Sequence, residues 1–375
     1  MHVDITGKTY NRTIMVAILL VGTFINVLNQ TILATAFPAL MNAFAIGTNT
    51  VQWLTTGFLL VNGVMIPVSA FLSKRFNTKW LWIAAMVIFE LGTLLAWLAP
   101  SFSLLLTGRL TQAVGVGIAM PLLQTIIFSI FPIQERGAAM GLVGIAVGVG
   151  PAIGPTLSGW IVDNWSWRQI FGIMLPIVAL VIVASFFYMK PVIQTSKIKF
   201  DLFSVLTSSI GFGGLLYGFA TVGSKGWTSS TVLISLIAGS IVVILFAIRQ
   251  LSMPEPFLDL HVFKYHQFTL ATILGAIAMT AMTGAELVLP LYLQIAKGQN
   301  AVISGLTLLP GAILVAIMNP ITGRIVDKHG GKALSLIGLL LLTLGTVPFI
   351  MLQLSTPLWF IISMYAIRMR ALLWF

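Results

Sequence analysis

Cysteine is absent from the 375 residues, which excludes disulfides, thiolate metal sites and cysteine nucleophiles together. Charge is scarce as well. Asp and Glu number 9, and charged residues make up 8% of the chain, where a soluble domain carries about 25%. So few charges cannot clothe a water-facing surface. The apolar runs lack period-two alternation, which excludes an outer-membrane barrel. No Gly-rich phosphate loop of the nucleoside-triphosphatase type occurs, so ATP is not the energy source within this chain. The four histidines (His2, His261, His266 and His329) fall in tails and loops with no metal-ligand spacing, and no cofactor is implied. What is present is apolar: 58% hydrophobic residues and a mean hydropathy of +1.03. The chain reads as an all-α, polytopic membrane protein. Its net charge of +11 and pI near 10.1 would suggest a nucleic-acid partner in a soluble chain. Here the charges belong to membrane topology.

A helix needs about 20 mainly apolar residues to cross a bilayer. Breaking the chain at charged and turn-rich stretches gives segments near 13–36, 51–72, 80–99, 104–131, 137–162 and 169–189. A second set follows near 203–223, 231–248, 268–293, 301–321, 333–352 and 357–375. The opening MHVDITGKTYNR has no small-residue cleavage site before a short apolar core, so it reads as a tail and a retained first span. Assigning alternate loops puts fourteen Lys and Arg on one side and three (Arg168, Lys225 and Lys297) on the other. Lys and Arg concentrate on the cytoplasmic side, so the N-terminus is expected inside.

The chain also repeats itself. SAFLSKRFNTK (69–79) and GRIVDKHGGK (323–332) each follow a Pro-containing helix end, and setting Ser69 on Gly323 gives an offset of 254. Arg109 and Arg368 stand 259 apart, nearly the same. Two halves with matching landmarks indicate a duplicated transporter, with substrate between the halves near the midplane. The expected division is a tail (1–12), a six-helix half (13–189), two inserted spans with their loops (190–266) and a partial second half (267–375).

Several motifs then carry a resemblance. LNQTILATAFPAL (28–40), VQWLTTGFLL (51–60), GRLTQAVGVG (108–117) and NWSWRQIF (164–171) resemble landmarks of the major facilitator superfamily, in order. The branch they resemble is the 14-span drug:proton antiporter type (EmrB/QacA), including lincomycin-resistance-like multidrug exporters. Two spans inserted between the halves are that branch's hallmark. The fifth span carries Gly141-x8-Gly150-x3-Gly154-Pro155-x2-Ser158-Gly159, one Ser departing from the branch's antiporter motif. Physically, small residues at these intervals leave a groove that admits a neighbouring backbone, and Pro bends the helix. The resemblance covers about residues 13–368. It implies fourteen spans, so a chain stopping in its twelfth is expected to be C-terminally incomplete.

Candidate residues follow. Arg109 lies seven residues into an apolar span, where a charge costs at least ~2.5–3.5 kcal/mol; the resemblance gives it a role in proton exchange, against snorkelling to the interface. Glu90 and Glu286 are intramembrane carboxylates, candidate proton carriers because lost hydration disfavours the charged form. Glu286, in a span that pairs with the first by the repeat, is the stronger. The usual Asp of the first span is Asn29 here, and an amide cannot titrate. Asp327, Lys328, Gly330, Gly331 and Lys332 form the better copy of a cytoplasmic gating motif, with Gly for the turn and Asp to cap or pair. The first copy has Ser69 for Gly and Ser73 for Asp, leaving Lys74 and Arg75; solvated topogenic charge is the plainer reading of both copies. Asn26, Asn29, Gln30, Asn62 and Gln124 either line the substrate path or bridge helices.

The function expected is export of hydrophobic or cationic drugs by proton antiport across the cytoplasmic membrane, with drug, protons and bilayer as partners. The alternatives are a metabolite or sugar symporter of the same fold, or a truncated non-transporting remnant. A membrane enzyme would need carboxylate, His or metal clusters in an interfacial loop, and these loops are short and almost free of them.

Overall fold

The computed structural model describes residues 9–195, 201–254, 258–329 and 332–371, with residues 2, 3, 5, 7 and 256. A short antiparallel hairpin, β1 (His2–Val3) with β2 (Thr9–Tyr10), precedes the helices. These are α1 (Arg12–Thr31), the short α2 (Phe37–Phe44) and α3 (Thr48–Val51), α4 (Trp53–Arg75), α5 (Thr78–Leu98) and α6 (Phe102–Ile130). Then come α7 (Arg136–Asn164), α8 (Gln169–Gly172), α9 (Met174–Tyr188), α10 (Leu202–Lys225) and α11 (Ser230–Ser252). The last are α12 (His266–Leu291), α13 (Ala301–His329), α14 (Lys332–Thr346) and α15 (Leu358–Ala371).

Each expected span coincides with a helix or, for 169–189, with α8 and α9 in succession. Among the described residues, eight stretches are long and apolar enough to cross a membrane. In lipid the backbone must satisfy itself, and long apolar runs do so as helices. Polar signals trim the ends: Asn77 accepts from the Lys79 N–H at 3.0 Å to start α5, and Gly226, at φ +77°, stops α10. Several boundaries differ from expectation; α14, for one, ends at Thr346, short of 352. α1 ends at Thr31, short of 36, and α13 runs on to His329, carrying Asp327 and Lys328 on helix where a loop was expected.

The chain divides into two compact units. The first comprises residues 1–22, 37–130 and 168–263; the second comprises 23–36, 131–167 and 264–375. In the first, α5 and α6 touch backbone to backbone: a Cβ on Gly92 would lie 2.6 Å from Gln112 N and Gly108 O, and one on Gly115 would lie 2.5 Å from Ala85 O. Ser69 of α4 is buried and donates to the Ile118 carbonyl of α6 at 2.9 Å. Trp82 donates to Ser185 of α9 at 3.1 Å, and Arg168 closes the end of α5 by donating to the Ala99 carbonyl at 2.8 Å. Within the second unit, α7 packs on α13, and α15 on both α13 and α14. Its apolar core includes Leu293, Leu308, Val315, Ile361 and Tyr365.

Candidate functional site

Arg109 is fully buried in α6. Its Nη1 donates to Gln112 Oε1 at 2.9 Å, its Nε to the Leu54 carbonyl of α4 at 3.4 Å, and its guanidinium lies 4.4 Å from the Phe58 ring centroid. Gln112 Nε2 donates in turn to Thr93 Oγ1 of α5 at 2.8 Å, and Thr93 donates to the Phe89 carbonyl at 2.8 Å. The arrangement has a local cause. Gly92 and Gly108 let the two backbones meet one residue away from Thr93 and Arg109, so short side chains can bond across the seam. Amide, carbonyl and ring thereby surround the guanidinium, which stabilises a cation without bulk water. It does not snorkel.

Glu90 sits half-buried in α5, and its Oε2 is buried without a hydrogen-bond partner among the described residues. It accepts nothing from Arg109, so the two candidates share a pair of helices but not a bond. The side chain of Glu286 lies outside the described residues, as do those of Pro155, Asp327 and Lys332 and the whole of Gly330 and Gly331. Lys328 is exposed on α13.

The small-residue groove is present on α7. Gly141, Gly150, Gly154, Ser158 and Gly159 are buried. A Cβ on Gly150 would lie 3.0 Å from Val27 Cγ1 and 3.2 Å from Leu28 N; one on Gly154 would lie 2.5 Å from Thr31 Oγ1. The second half of α1 therefore rests on the groove. The same stretch of α1 carries Thr23, Asn26 and Asn29, all fully buried, and neither side-chain amide atom of Asn26 has a partner among the described residues. Ser158 Oγ on α7 is also buried and unpaired there. Each such group costs on the order of 1–3 kcal/mol, a cost that marks a polar seam. Gln30 and Asn62 are half-buried, while Gln124 is exposed on α6.

In the first gating copy, Ser73 donates to the Ala70 carbonyl at 2.9 Å and so turns back on its own helix. Lys74 reaches away and Arg75 is exposed. A separate cavity of about 380 Å³ is lined by Asn49, Gln52, Trp53, Thr56, Thr221 and Ser224. It contains none of the residues expected from the sequence.

Three members of the Arg109 network were not foreseen. Gln112 could have been, since i and i+3 share a helix face. Thr93 and Phe58 could not, because their approach depends on how α4, α5 and α6 pack.

The pattern of the Major Facilitator Superfamily matches residues 19–374. The chain is 46% identical to the uncharacterized MFS-type transporter YcnB of Bacillus subtilis, over 98% of this chain and 78% of that one. It is 45% identical to the lincomycin resistance protein LmrB of the same organism, over 88% and 69%. The multidrug transporter protein MdtP of Bacillus subtilis shares 29% over 93% and 65%. Among solved structures, the human organic anion transporter MFSD10 superposes with a TM-score of 0.66 at 13% identity, over 98% of this chain and 84% of that one. The proton:xylose symporter XylE gives 0.65 at 13%, over 96% and 79%. An all-helical fold, the length of the family match and relatives of this similarity agree: the chain belongs to the major facilitator superfamily of membrane transporters.

Proposed function

We propose that the chain is a secondary active exporter of hydrophobic or cationic drugs, driven by proton antiport across the cytoplasmic membrane, with its N-terminus in the cytoplasm. The observation that carries the reading is the α7 groove, where Gly150 and Gly154 meet the Val27–Thr31 stretch of α1. Close approach of a neighbouring backbone to this groove supports the antiporter reading of the motif. The names of the lincomycin-resistance and multidrug relatives support a drug as cargo. In this reading Arg109 is the fixed cation of the coupling site, Glu286 the principal proton carrier and Glu90 the second carboxylate. Asn26, Asn29, Gln30, Asn62 and Gln124 serve the substrate path. Lys74, Arg75 and the Asp327–Lys332 copy gate it, within halves of 13–189 and 267–375 separated by the inserted pair.

The test uses inside-out vesicles containing the full chain. Acidifying the lumen should drive lincomycin accumulation, and collapsing the pH gradient should stop it. Gly154→Leu should abolish accumulation while the protein remains inserted, because a branched side chain cannot fit where Thr31 Oγ1 would stand 2.5 Å from a Cβ. Accumulation that ignores the gradient would remove proton antiport from the reading. Single cysteines at Lys225 and Lys197, unique in a chain without thiols, test orientation by reaction with an impermeant maleimide.

A further inference from the structure

Ser73 stands where the second gating copy has Asp327, and its hydroxyl is spent on the Ala70 carbonyl of its own helix. The acid missing from α4 is not replaced within α4. Its neighbour Lys74 instead donates from Nζ to the Pro256 carbonyl at 3.0 Å, a partner 182 residues away. Pro256 belongs to the segment that follows α11, the second inserted helix.

That segment is tied down from behind. The Leu258 N–H donates to Gln250 Oε1 at 3.2 Å, and Gln250 Nε2 donates to Ser204 Oγ of α10 at 2.8 Å; Gln250 is fully buried. Ser204 also donates to Asp201, and Asp201 accepts from two Arg249 nitrogens, Nε and Nη2, at 3.0 Å each. Burial alone would push the Asp201 carboxyl up, but the hydrogen bonds from Arg249 and Ser204 outweigh it and hold the group below the usual carboxylate range. Beneath this polar layer, buried Phe71 of α4 packs on buried Phe246 of α11, with Leu72, Phe212 and Leu258 around them. Three residues past Pro256 comes Asp259. The His261 backbone N–H, the His261 ring and the charge of Lys74 hold its carboxyl below the ordinary range. Towards the other end of α4, Leu216 of α10 abuts Gly63, and the rings of Trp53 and Tyr217 lie 5.9 Å apart.

We propose that the segment after α11 clasps the Lys74 end of α4, with Lys74 and Gln250 as positioning residues. The inserted pair then braces α4 along its length, and α4 and α10–α11 move as one body. A main-chain carbonyl suits a lysine because its ammonium has several donors on one flexible stem. The motional consequence rests on the transport reading; the clasp itself does not.

The experiment uses the full chain with nitroxides on Phe76→Cys and Ser252→Cys, both exposed positions in a chain without other thiols. Pulsed dipolar spectroscopy should give one narrow distance distribution in the parent. Lys74→Met should lose that single peak, and Gln250→Leu, which frees Leu258 from α11, should do the same. Lys74→Arg should keep it, since a guanidinium can donate to the same carbonyl. In vesicles, Lys74→Met should lower turnover several-fold with KM unchanged, and Lys74→Arg should restore it. A narrow distribution in Lys74→Met or Gln250→Leu overturns the clasp, as does a Lys74→Arg chain that broadens as much as Lys74→Met. The spectroscopic result is read equally in a parent that exports nothing, so failure of the clasp and failure of the export reading are told apart.

Discussion

Two arginines buried among the described residues, Arg109 in α6 and Arg368 in α15, are the molecule's own controlled comparison. Each stands on a helix whose backbone meets a glycine of the preceding helix: Gly92 against Gly108 and Gln112, and Gly345 with its added Cβ 2.8 Å from Arg368 Cα. Each guanidinium lies by a phenylalanine, Phe58 at 4.4 Å and Phe349 at 6.0 Å. Each donates to a main-chain carbonyl of a third helix, Leu54 of α4 and Ala281 of α12. The difference comes three residues on. Gln112 gives Arg109 a side-chain acceptor and a route to Thr93, whereas Ala371 occupies that place after Arg368. Both sites set a buried cation beside a glycine and a ring. An alanine side chain cannot take the place of Gln112 in the relay to Thr93, which supports the proposal of Arg109 for coupling.

The largest expected effect is Arg109→Leu. It strands Gln112 Oε1 and the Leu54 carbonyl in a dry site, at a cost on the order of 3 kcal/mol. Unfolding of the purified protein in detergent should show it, and gradient-driven export should vanish. Arg368→Leu should lower stability yet leave measurable export; equal loss of export would break the distinction between the copies.

Gly92→Val and Gly345→Val come next, each forcing a side chain into a backbone contact at about 1–3 kcal/mol. Both should destabilise, but only Gly92→Val should also impair export, because it parts Thr93 from Gln112. If Gly345→Val impairs export equally, helix approach rather than the relay is what export requires.

Gln112→Ala makes the first copy like the second, and should cost about 1–2 kcal/mol through the lost Arg109 bond. Export should slow without disappearing. The smallest effect belongs to Thr93→Val, which removes one hydroxyl from the end of the relay, worth about 0.6 kcal/mol on average in membranes. A Thr93→Val chain as damaged as Gln112→Ala would mean that the relay acts as a unit.

Several features of the site were legible beforehand. A charge deep in an apolar run had to be housed, and Arg109 is; small residues at repeated spacing on α7 had to admit a backbone, and they admit α1. Asn26 and Asn29 were recognisable as polar residues within a span, and their burial on the α7-facing stretch of α1 follows from the same groove. The nature of Arg109's housing was not legible. Glu90, nineteen residues before it on α5, has no bond to it. Helix rotation decides which groups face one another, and a one-residue change of phase turns a side chain by about 100°.

By itself the sequence determined what length and solvent dictate. Apolar runs of about twenty residues must close their own backbone hydrogen bonds in lipid and so become helices, and the motifs along them mark the family to which the chain belongs. The tertiary structure alone decided the partners. Thr93 reaches Gln112 because two glycines bring α5 and α6 together, and Lys74 reaches Pro256 because α10 and α11 pack on α4. These contacts span 19 and 182 residues. Local periodicity records which face of a helix is polar, whereas the identity of what meets that face depends on packing across the whole chain.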